Sequence, residues 1–143
     1  MRPQISVLIV EDSDLFRRFL RLLLATPDIH IVGEAATGED GVEKARRLTP
    51  ELVLLDIHLP DLDGIEVGRR IRQILPDAKL VFVTQETSED FLNAALSVGT
   101  GYVSKNSAGA DLPAAIAAVL QDESFVSPDL DGRGALRSRG SAL

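Results

Sequence analysis

Two four-residue runs, Val7-Leu8-Ile9-Val10 and Leu52-Val53-Leu54-Leu55, contain no polar residue. A strand with one face in water alternates apolar with polar side chains. A strand without that alternation must be covered on both faces, as in a parallel sheet between two layers of helices. Further short stretches rich in aliphatic and β-branched residues recur at residues 29–32, 80–84 and 101–103, and segments with helical spacing of apolar residues lie between them. Strand and helix thus alternate five times, which predicts an α/β doubly wound fold.

Helix punctuation agrees. Phe16, Phe19, Leu20 and Leu23 form one stripe, with Arg17, Arg18 and Arg21 mostly off it. Thr37 before Asp40, and Thr87 before Asp90, place a capping hydroxyl three residues ahead of a carboxylate. Asp63-Gly64 opens the third helix and Pro76 closes it, because the residue before a proline avoids helical dihedrals. Pro113 lacks an N–H and suits only the first helical positions, so the fifth helix is expected to start near Ala110 or Asp111. The periodicity stops after Val126. Residues 127–143 are rich in Gly, Ser and Arg and are expected to form a linker or tail beside a domain at 1–126.

Composition removes several classes of function. With no cysteine among 143 residues, disulfides, zinc-thiolate sites and thiol nucleophiles are excluded. The first apolar run is too short for a signal peptide or a membrane span, so a cytoplasmic protein without membrane contact is the expectation. A net charge of −7 argues against binding a phosphate backbone, and Arg133, Arg137 and Arg139 in the tail are a thin basis for holding nucleic acid. Gly33, Gly38 and Gly41 lack the spacing of a dinucleotide-binding loop.

In an open parallel sheet, ligands bind beyond the C-terminal strand ends, where the strand order reverses. The polar residues at those ends are Glu11 and Asp12, Asp56, Thr84 and Lys105. Three carboxylates in one crevice repel one another: two unit charges 4 Å apart cost about 4 kcal/mol at an effective dielectric near 20. Either one carboxyl takes up a proton or a cation sits between them. Mg²⁺ fits better than Ca²⁺, because few protein oxygens are offered and the remaining positions suit water and a phosphoryl oxygen. An aspartate beside a metal ion and a lysine can act as nucleophile toward phosphorus, giving an acyl phosphate. Taken singly, Lys105 reads as a surface charge, Thr84 as a strand-end cap and Tyr102 as packing; only the joint pattern gives them a role. His30 and His58 lie too far apart in the chain to read as a metal pair.

Four segments carry a resemblance: 7–13 (VLIVEDS), 54–64 (LLDIHLPDLDG), 81–84 (VFVT) and 99–105 (GTGYVSK). In order and spacing this resembles the receiver (CheY-like) domain of bacterial two-component response regulators, over residues 5 to about 123. The resemblance implies a flavodoxin-like (βα)5 sandwich with a five-stranded parallel sheet in order 2-1-3-4-5. It implies Asp56 as phosphoacceptor, Glu11, Asp12, Asp56 and the main-chain carbonyl of His58 as Mg²⁺ ligands, and Lys105 as partner of the phosphoryl oxygen. Thr84 and Tyr102 become the switch residues. A histidine kinase or histidine phosphotransfer protein is implied as donor, and homodimer formation through the face of Tyr102 and the last two helices as a route of activation.

The stretch 99–106, without proline after Lys105, and the ending 124–128 look most like receivers joined to a LuxR-type helix-turn-helix output, which implies transcription regulation in a parent protein. The chain is accordingly expected to be either such a receiver cut before its output or one that stands alone. Glu11 replaces the commoner aspartate, and Gln85 stands where the family has a small residue. Together with His58 and Glu86, Gln85 leaves the lifetime of a phosphoryl group open. Two rivals remain at this stage. A metal-dependent phosphohydrolase with Asp56 as nucleophile would be expected to carry a second carboxylate two residues on, where His58 stands, so turnover is disfavoured and a signalling protein rather than an enzyme is expected. The other rival is a scaffold that binds partners without phosphorylation.

Overall fold

The computed structural model describes residues 4–128 apart from Thr87. In chain order they form β1 (Ile5–Val10), α1 (Asp14–Leu23), β2 (Ile29–Ala35), α2 (Gly38–Leu48), β3 (Leu52–Leu55), α3 (Gly64–Ile74), β4 (Lys79–Thr84), α4 (Glu89–Leu96), β5 (Gly101–Ser104), α5 (Ala108–Leu120) and β6 (Phe125–Val126). All neighbouring strands are parallel, in the order β2-β1-β3-β4-β5-β6. The expected order 2-1-3-4-5 holds, with a two-residue sixth strand added at the β5 edge.

Successive strand residues feed opposite cores, which is why the runs need no polar positions. Leu8, Val10, Val53, Leu55, Leu80 and Phe82 pack with Val42, Ala45, Ile65, Ile71, Leu92 and Ala95 from α2, α3 and α4. Val7, Ile9, Leu52, Leu54, Val81 and Val83 pack with Leu20, Leu112, Ala115, Ile116 and Val119 from α1 and α5. Each such aliphatic side chain contributes about 1.5–3 kcal/mol when fully buried. Within the α1 stripe Leu20 is buried, Phe16 and Leu23 pack partly against the second core, and Phe19 is partly exposed beside Phe16.

Several boundaries differ from expectation. β2 runs on to Ala35 through Gly33 and Glu34, because a sheet edge tolerates polar residues that an aliphatic pattern misses; its register against β1 shifts at Val7/Leu8. α5 begins at Ala108, earlier than Pro113 suggested, since a 3₁₀ turn at Lys105–Ser107 runs straight into it and the proline sits inside the helix. Ser88 caps α4 by accepting the Asp90 N–H at 3.2 Å; the capping expected of Thr87 lies outside the described residues. Ser127 was expected to begin the tail, yet it is fully buried and bonded to β5, so the folded body extends past Val126. The remainder of the expected tail, 129–143, lies outside the described residues.

Candidate functional site

The strand ends set out the site. β1 and β3 are adjacent, with Val10 opposite Leu55, so Glu11 and Asp12 leave the sheet beside Asp56. One carboxylate oxygen from each of the three lies within 4.8 Å of the others. Glu11 and Asp56 are buried, while Asp12 is exposed. Lys105, placed by the end of β5, reaches across with Nζ 2.8 Å from Glu11 Oε1 and 3.0 Å from Asp56 Oδ2. Its ammonium also lies 4.7 Å from the centre of the Phe16 ring.

Local backbone holds these acids in place. Ser13 caps α1 through its hydroxyl, which accepts the Phe16 N–H at 3.1 Å, and its own N–H donates to Glu11 Oε2 at 2.9 Å. Arg17 Nη1 donates to the Glu11 carbonyl at 2.5 Å. The His58 N–H donates to Asp56 Oδ1 at 3.3 Å. Gly64 must be glycine: a Cβ there would stand 1.9 Å from the Asp56 carbonyl oxygen. Asp61, in the loop between β3 and α3, accepts the Gly38 N–H at 2.7 Å and the Glu39 N–H at 2.9 Å, fastening that loop to the start of α2.

Burial pushes the Glu11 carboxyl above the usual carboxylate range, against the pull of Lys105 and the Ser13 N–H. Lys105 moves up as well: burial opposes its charge, but the hydrogen bonds to Glu11 and Asp56 outweigh that. One ammonium therefore stands against three carboxylates. The donor set consists entirely of oxygens, two of them on buried side chains, and it fits a hard divalent cation.

On the far side of the site Thr84 and Tyr102 are both buried, and both are bonded to Glu86. Thr84 Oγ1 accepts the Glu86 N–H at 3.1 Å, and the Tyr102 hydroxyl donates to the Glu86 carbonyl at 3.1 Å. The Glu86 carboxylate accepts the Ser88 N–H at 3.0 Å and lies 2.8 Å from His58 Nε2. The His58 ring is exposed and edge-on to Phe91. Burial, then the Glu86 and Asp56 charges, push the Tyr102 hydroxyl up and keep it neutral.

Glu11, Asp12, Asp56 and Lys105 are thus brought together at the ends of β1, β3 and β5, while Thr84, Tyr102 and the His58 ring meet at Glu86. Sequence reasoning flanked the site with Glu86 but missed its use as a hub, because both bonds to Thr84 and Tyr102 run through its main chain. It also missed Ser13, whose place just after the acidic pair and ahead of a helical stripe was a readable capping signal.

Comparison with known proteins decides the family. Residues 7–117 match the response regulator receiver domain. The chain belongs to that family. Response regulator GacA of Pseudomonas viridiflava is 36% identical over 136 residues, covering 94% of this chain and 64% of that protein. Response regulator protein VraR of Staphylococcus epidermidis is 34% identical over 128 residues, covering 88% and 61%. This receiver chain thus spans less than two thirds of the length of those relatives. Among solved structures, a LuxR-family two-component response regulator from Aurantimonas sp. SI85-9A1 superposes with a TM-score of 0.83 at 32% identity, covering 89% of this chain and 92% of that one. Among the described residues of this receiver no helix is long and apolar enough to cross a membrane.

Proposed function

We propose that this receiver accepts a phosphoryl group on Asp56 and signals through the change that follows. The observation that carries the reading is the joint reach of Lys105 to Glu11 and Asp56 beside a third carboxylate, Asp12. A carboxylate oxygen of Asp56 attacks phosphorus; the new O–P bond forms as the donor's N–P or O–P bond breaks, and the departing imidazole or carboxylate keeps the electron pair. Lys105 stays protonated and stabilises charge on the phosphoryl oxygens. Glu11, Asp12 and Asp56, with the main-chain carbonyl of His58, would hold Mg²⁺, which when bound supplies further positive charge against those oxygens. The donor is a histidine kinase, a histidine phosphotransfer protein or a small acyl phosphate.

The phosphoryl group offers the Thr84 O–H an acceptor; turning toward it draws Oγ1 away from the Glu86 N–H that it accepts, and Tyr102 is bonded to that same residue. A shift at Thr84 thus reaches Tyr102 and α4 through one loop, a population shift between two arrangements. In a longer protein the natural readout is transcription regulation, with pairing of two receivers as one route to it. The hydrolase alternative is not favoured, since the residue two beyond Asp56 is His58, with its ring turned to Glu86.

Intact-mass measurement after incubation with acetyl phosphate and Mg²⁺ tests the assignment. One added phosphoryl group is expected, and none in Asp56→Asn; equal labelling of that variant refutes it.

A further inference from the structure

Ser127 lies at the end of the described chain and yet is fully buried. Its N–H donates to the Tyr102 carbonyl at 2.9 Å, and its hydroxyl accepts the Ser104 N–H at 3.0 Å. Two residues earlier the Phe125 N–H donates to the Thr100 carbonyl at 2.9 Å, and β6 pairs with β5, Phe125 opposite Gly101 and Val126 opposite Tyr102. The segment leaving the domain is therefore fastened along the strand that carries Tyr102 and runs directly into Lys105.

Ser104 is the anchor of that arrangement. On one edge β4 pairs with it through Thr84, and on the other Ser127 holds its N–H. Its own hydroxyl accepts the Asn106 N–H at 3.2 Å and caps the turn on which Lys105 sits. The contacts of Lys105 to Glu11 and Asp56 depend on where that turn lies. Loss of the Ser127 hydroxyl would leave a buried N–H without its acceptor, one residue from Lys105.

We propose that residues 125–127 form a positioning element for Lys105, with Ser127 as its fastening residue, and that their docking on β5 is coupled to occupation of the Asp56 site. The proposal rests on the phosphoacceptor reading. Because the coupling is a free energy shared by two equilibria, it acts in both directions: a phosphoryl group that draws Lys105 into place tightens the docked segment, and a docked segment favours phosphorylation. Chain beyond Ser127 is then attached to the switch strand itself, in addition to any signal carried by the α4 face.

The test uses the full chain and beryllofluoride with Mg²⁺ as the phosphoryl mimic. In the wild type, exchange of the Phe125 and Ser127 amides should slow about fivefold or more on adding the mimic. Ser127→Ala should slow phosphorylation by acetyl phosphate by about three- to tenfold, since 1 kcal/mol is about a factor of five. A single cooperative urea transition and retained slow exchange at Ile9 and Leu54, faster than wild type by no more than the lost stability, confirm that this variant is folded. Amides 125 and 127 that ignore the mimic while Asp56 becomes labelled overturn the coupling, and so does a Ser127→Ala rate equal to wild type. Absence of labelling in the wild type overturns the phosphoacceptor reading instead, and the coupling with it. The wild-type exchange measurement needs no variant to fold.

Discussion

The two sides of the crevice are built differently. Glu11 and Asp56 sit at the ends of β1 and β3, where residues Val7 to Val10 and Leu52 to Leu55 are at most 1% exposed. Thr84 and Tyr102 also lie on buried strands, but the loop and helix beyond them are held by polar bonds converging on Glu86. α3 buries Gly64, Ile65, Val67, Gly68 and Ile71; α4 buries only Leu92 and Ala95. Apolar packing has one dense solution, whereas a set of hydrogen bonds can be exchanged for another of similar energy. The acid side therefore keeps chemistry in place, and the Glu86 side is where a second arrangement costs little.

The largest test of this contrast is a pair of truncations. Leu54→Ala should lower unfolding free energy by about 3–4 kcal/mol, and Leu92→Ala in α4 by about 2 kcal/mol, both read from urea denaturation. Hydrogen exchange sharpens it: β3 amides should exchange only through global unfolding, while α4 amides open locally. Equal protection in α4 and β3 would break the contrast. Next in size is Gly64→Ala, which drives a methyl into the Asp56 carbonyl. It should cost about 2–3 kcal/mol and lower the extent of Asp56 labelling, while Gly68→Ala, with only side chains nearby, keeps labelling.

A smaller effect is expected at the hub. Glu86→Ala keeps the main-chain bonds but removes the carboxylate that ties Ser88 and His58 to the loop, a loss of about 1–2 kcal/mol. Tyr102 is the sole tyrosine in a chain without tryptophan, so its fluorescence reports on this loop alone. Its emission should change in the variant while urea denaturation remains a single cooperative transition. An unaltered signal would mean that the loop does not depend on the carboxylate.

What could be read from the sequence follows the same division. The acid side was legible because an all-aliphatic run has one explanation, burial on both faces, and the acids that end it are then forced to the strand tips. Thr84 and Lys105 were legible only jointly with those acids, as the polar residues at the ends of two further strands. Ser127 was not: its burial comes from pairing with β5, more than twenty residues away, and two residues of strand leave no periodic trace. The start of α5 was misplaced because Pro113 was weighed as a local rule, while the preceding 3₁₀ turn already committed the chain to helix. The end of β2 was hidden by Glu34, a polar residue that only an edge strand admits.

The smallest predicted effect lies on the acid side and depends on pH. The first three N–H groups of α2 are all satisfied: Gly38 and Glu39 by Asp61, and Asp40 by Thr37. Those two bonds hold the Asp61 carboxyl below its ordinary value of 3.8, the Glu39 N–H first and the Gly38 N–H second. Below that value the unfolded chain takes up this proton more readily than the folded one, so stability falls as pH drops. The contribution is complete above the ordinary carboxylate range and disappears as pH passes down through the folded-state value. Asp61→Asn should flatten that part of the pH–stability curve and leave the neutral-pH site geometry intact, because the residue ties a loop to a helix and touches none of Glu11, Asp56 or Lys105. An Asp61 that titrates at its ordinary value by NMR would show that packing alone holds the loop, making the acid side more rigidly apolar than the contrast requires.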